Sequence, residues 1–96
     1  MKALFIIYHK DLEAQVRQVV DRGMAVPRYT RIDEVIGARM VEMAEASGYA
    51  TDRHNQLIIL LGEEGVVNKL IRELQVLRRQ QGHGLRGFVM DTSKVF

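Results

Sequence analysis

Between the end of an apolar helical stripe and the last apolar run, the chain reads Gly82-His83-Gly84-Leu85-Arg86-Gly87. A plain helix-to-strand connection needs one glycine, and this one has three, with a histidine and an arginine among them. These residue types suit the binding of an anion. Glycines accept positive φ and can turn successive backbone N–H groups toward one point. Arg86 adds a forked donor, and His83 another when protonated. An architectural role is equally open, with Gly82 as the helix stop, Gly84 as a turn and Gly87 as a strand bulge.

Other residues offer less chemistry. There is no cysteine, which excludes disulfides, thiolate metal sites and a cysteine nucleophile. The serines, Ser47 and Ser93, sit in no nucleophile motif. Asp33 and Glu34 are adjacent in a strand-like run and point to opposite sides, so they make no catalytic pair. No enzyme is expected. His9, His54 and His83 have no local ligand spacing. Met40, Met43 and His54 are weak candidates for a soft metal such as copper(I). The plainer use of the methionines is the apolar face of a short helix, so no metal is assigned.

Six elements must position these residues. Residues 3–8 ("ALFIIY") are apolar throughout and predict a buried strand. Asp11 offers an N-cap for a helix carrying Leu12, Val16, Val19 and Val20, which Gly23 ends. Residues 28–37 mix β-formers with charges and predict an exposed or edge strand. Residues 56–61 ("QLIILL") are a second fully apolar strand. A helix follows from Glu63 and Glu64, with an apolar stripe of Val66, Val67, Leu70, Ile71, Leu74 and Leu77, and Gly82 ends it. Residues 85–91 are the last strand. The order βαββαβ predicts an α+β, ferredoxin-like sandwich: a four-stranded antiparallel sheet with two helices on one face.

A chain of 96 residues makes one domain, residues 1–96. Its net charge of +2 lacks the basic face of a nucleic-acid binder, so no nucleic-acid partner is expected. No apolar window is long enough to span a membrane, and the N-terminal run is too short for a signal-peptide core. The expected setting is cytoplasmic, without membrane insertion. The excursion over residues 38–53 is far longer than the usual hairpin loop of about two to five residues. Its first half, rich in helix formers, predicts a short helix, followed by a mobile tip near Gly48.

The two fully apolar strands place hydrophobic side chains on both faces of the sheet, whereas helices cover only one. Leu4, Ile6, Ile58 and Leu60, or their alternates on those strands, are therefore expected to be buried only on assembly through the sheet.

Four stretches carry a family likeness: "MKALFIIYHKDLEAQVRQVVDRG", "YTRIDEVIGAR", "LGEEGVVNKLIRELQVLRRQQGHG" and "LRGFVMDTSKVF". With them the chain resembles PII-like signalling proteins, the nitrogen regulatory protein P-II superfamily, including compact members encoded near metal-efflux and other transporters. The resemblance implies a homotrimer with its sheets facing inward. It further implies a small ligand in the clefts between subunits, an adenine nucleotide (ATP, ADP or AMP) or another anion. One wall would be Gly82, His83, Gly84 and Arg86, and the other Gly37 and Arg39 of a neighbouring chain. Residues 38–53 would be the T-loop, which meets a protein target, possible targets including a membrane transporter, through Met40, Met43, Tyr49 and Arg53. Three departures bear on the ligand. The family's C-terminal Arg-x-Arg is replaced by a tail with Lys94 alone, the loop is shorter, and Gly-x-Gly-Arg becomes Gly37-Ala38-Arg39. A second reading is a CutA-type metal-binding or metal-tolerance protein of the same fold, distinguished by metal binding through Met40, Met43 or His54. A third, an RNA-binding ferredoxin-like domain, would stack bases on Phe5, Tyr8 and Phe88, but lacks the ribonucleoprotein motif.

Overall fold

The computed structural model describes residues 1–43 and 46–96, with side chains described outside residues 39–53. Strand β1 (Lys2–His9) leads through a 3-10 turn (Lys10–Leu12) into helix α1 (Glu13–Gly23). Strands β2 (Thr30–Met43) and β3 (Ala46–Gly62) form a long hairpin, followed by helix α2 (Glu64–Gln81) and strand β4 (Leu85–Asp91). The strands make one sheet in the order β2-β3-β1-β4 with every neighbouring pair antiparallel. This is the ferredoxin-like α+β sandwich that the order of apolar runs predicts.

Strand pleating divides the apolar runs between two faces. Leu4, Ile6 and Tyr8 of β1 and Ile58 and Leu60 of β3 are buried together with Val16, Val19 and Val20 of α1 and Val67, Leu70, Leu74 and Leu77 of α2. At Gly23 an added Cβ would overlap Leu70 Cδ2, so the missing side chain lets the two helices close on each other. Of the two alternative sets expected to need assembly for burial, the first is excluded: Leu4, Ile6, Ile58 and Leu60 are at most 2% exposed within the single chain. It is their alternates, Phe5, Ile7, Leu57 and Ile59, that lie half-buried on the opposite face. There Phe5 stacks on Phe88 of β4, ring centres 4.6 Å apart and 11° from parallel, while Phe88 stays 50% exposed.

The helix boundaries shift slightly from the sequence expectation. Asp11 lies inside the 3-10 turn rather than capping α1. The capping acceptor is His9, whose Nδ1 receives the Asp11 backbone N–H at 3.2 Å. The far ends of β1 and β4 are tied by Lys2 with the Asp91 carboxylate and by Thr92 Oγ1, which donates to the Met1 carbonyl at 3.0 Å. The ammonium of Lys2 holds the Asp91 carboxyl below its ordinary value, and Asp91 raises Lys2 in return.

The short helix expected from Ala38 onward is replaced by strand. β2 runs on to Met43 and pairs with β3 down to Met43 opposite Ala46, and Gly48 belongs to β3 opposite Val41. Residues 44 and 45, at the hairpin's end, lie outside the described residues. A continuous backbone ladder with cross-strand partners outweighs the weak helix preference of alanine, methionine and glutamate. The ladder has one irregular place. From Ile32 to Val35 β2 advances three residues while β3 advances two, and from Val35 to Gly37 β2 advances two while β3 advances three. The two slips cancel, so both arms of the hairpin keep one register on either side of Val35.

Candidate functional site

The end of the sheet where β1 gives way to its 3-10 turn gathers most of the residues singled out by the sequence. Tyr8 pairs with Leu85 and His9 with Asn55, so the 82–87 turn and the base of the hairpin flank β1 on opposite sides. Within the turn each glycine has its own cause. Gly82 takes φ 81° and its N–H donates to Arg78 O at 2.8 Å, closing α2 in a left-handed cap. Gly84 takes φ 80°, and its carbonyl accepts the His9 N–H at 2.8 Å. Gly87 has no positive φ and makes no bulge, because the β1–β4 register runs unbroken from Tyr8–Leu85 to Lys2–Asp91. A Cβ there would stand 2.5 Å from the Phe5 carbonyl oxygen, so Gly87 permits close strand approach. The bulge offered as the architectural role of Gly87 is thus corrected. The Gly82 N–H is spent within its own helix and cannot also serve an anion.

Arg86 is exposed and sits opposite Ile7. Its Nη2 lies 3.9 Å from the point where a Gly37 Cβ would stand, and Asn55 Nδ2 lies 3.5 Å from the same point. The sequence reading set Gly37 of a neighbouring chain against Arg86, whereas here Gly37 of the same chain approaches it. Two side-chain donors therefore converge on a backbone left open by glycine, at the one irregular place in the hairpin. Asn55 was missed by sequence reasoning. It is buried, and its sign in the sequence is an amide pair, Asn55-Gln56, heading an otherwise apolar run. Gln56 is buried beside it, opposite Tyr8, and neither Gln56 Oε1 nor the Tyr8 hydroxyl has a hydrogen-bond partner among the described residues. Burial pushes the Tyr8 phenol up to about 12, so it stays protonated at neutral pH. Tyr8 faces the helices and does not join the Phe5–Phe88 stack as a base platform.

A groove of about 300 Å³ opens along the free edge of β4, between Leu85 and Val89 on one side and Ile71, Leu74, Gln75 and Arg78 of α2 on the other. His83 is exposed at the turn. The rings of His9 and His54, unrelated by spacing in the sequence, lie 6.0 Å apart. The side chains of Arg39, Met40, Met43, Tyr49 and Arg53 lie outside those described, so the second wall and the partner contacts rest on backbone placement alone. Met40 pairs with Tyr49 and Met43 with Ala46. At about 3.3 Å per residue, these backbone positions are roughly 10 Å apart along the strand, with His54 farther down the hairpin. The proposed Met40, Met43 and His54 grouping thus has no compact backbone basis.

No family model matches the sequence, and no curated protein matches it. Solved structures do. GlnK from B. subtilis, in complex with ATP, superposes with a TM-score of 0.75 at 14% identity, over 96% of this chain and 81% of that one. CPII from Thiomonas intermedia K12, a nitrogen regulatory PII-like protein bound to ADP, AMP and bicarbonate, gives 0.69 at 22% identity, over 95% and 88%. The apo form of CPII gives 0.67 at 22% identity, over 93% and 85%. The chain has the PII-like fold. In this fold the hairpin base, the 82–87 turn and the end of β1 are neighbours, and no described helix is long and apolar enough to cross a membrane.

Proposed function

We propose that this chain is a PII-like regulator, a cytoplasmic homotrimer that senses an adenine nucleotide or another small anion at its subunit clefts and controls a protein partner through the β2–β3 hairpin. The observation that carries this reading is a minimal sandwich whose uncovered sheet face is apolar and whose large elaboration, among the described residues, is a hairpin rooted beside Arg86. Helices bury one face of the sheet, while Phe5, Ile7, Leu57, Ile59 and Phe88 leave the other for subunit contact. Arg86 and Asn55 supply donors at the root of the hairpin, so an anion held there would touch the element that reports it. ATP on GlnK and ADP, AMP and bicarbonate on CPII support the choice of ligand class. The partner class that the family resemblance suggests is a membrane transporter.

The test is a thermal-shift series with ATP, ADP, AMP and sodium bicarbonate. A ligand that binds only the folded state raises the melting temperature with concentration. A rise with AMP or ADP supports the reading, and no rise with any of the four at millimolar concentration overturns nucleotide sensing.

A further inference from the structure

We draw no further inference here: the strongest candidate, the apolar groove of about 300 Å³ along the free edge of β4, between Leu85 and Val89 on one side and Ile71 and Leu74 of α2 on the other, carries nothing because nothing in the structure shows what covers it.

Discussion

Alanine placed at three glycines should give three different outcomes, because the structure assigns each glycine a different cause. At Gly87 a Cβ would meet the Phe5 carbonyl oxygen at 2.5 Å. The obstacle is backbone in the paired neighbour, so relief requires β4 to move away from β1 along a ladder of seven residue pairs. Overpacking of this kind costs about 1–3 kcal/mol. For a domain of this size, each kcal/mol lowers the midpoint by roughly 4–8 °C. At Gly82 nothing stands within 4 Å of the added atom, and the cost is the left-handed backbone alone, about 1 kcal/mol. At Gly65, in the first turn of α2, the space is also open and φ is not positive, so Gly65→Ala should stabilise by about 0.4–1 kcal/mol through the unfolded chain. Urea unfolding of the three variants at one fixed protein concentration gives the ranking Gly65→Ala, parent, Gly82→Ala, Gly87→Ala, from most to least stable. If Gly87→Ala matches the parent, close strand approach is not why that glycine is present.

The open sheet face makes its own prediction: Phe88→Asp should turn the proposed trimer into 11 kDa monomers or aggregate by light scattering, and a variant that assembles as the parent does would show that the face is not the interface. Arg86→Ala should lower nucleotide or anion affinity by roughly ten-fold or more, since a charge-assisted hydrogen bond is worth about 1.5–3 kcal/mol and 1.4 kcal/mol is ten-fold. Stability without ligand should barely change, and calorimetry with AMP checks both statements. Asp91 titrates below its ordinary value in the folded chain because of Lys2. The stability this contributes is present above the unfolded carboxylate value of about 3.9 and is lost as pH falls through the lower folded value. Asp91→Asn should therefore flatten the fall in urea midpoint below about pH 4, and an unaltered acid limb would count against the pairing.

The apolar runs made most of the fold legible. Both faces of β1 and β3 are hydrophobic, and only assignment to faces was beyond the sequence, since alternation within "ALFIIY" has no polar residue to mark which side meets the helices. The helix-forming look of Ala38 to Met43 misled because propensity is local, while the partner strand that overrides it arrives only at Ala46. Gly87 looked like a possible bulge for a similar reason: a glycine in a strand shows that something comes close, without showing what. The site was legible in part. Arg86 and Gly37 were read from their types, but Asn55 was not, because a buried amide looks like any surface amide until its neighbours are known. His9 and His54 had no spacing to betray them. Their meeting is a product of the β1–β3 register.

The cancelling slips on either side of Val35 have a consequence for how the hairpin can change length. Deleting one residue from a single arm would displace every pair beyond it and exchange the faces of that arm. Removing two residues from each arm, beyond Gly37 and before Asp52, would keep both the pairing and the faces. The hairpin is therefore a cassette that can be shortened or extended in matched steps above a constant base. A recombinant chain bearing another protein's hairpin tip, joined in register at Ala38 and Thr51, should keep its sheet while taking on the reach of the donor.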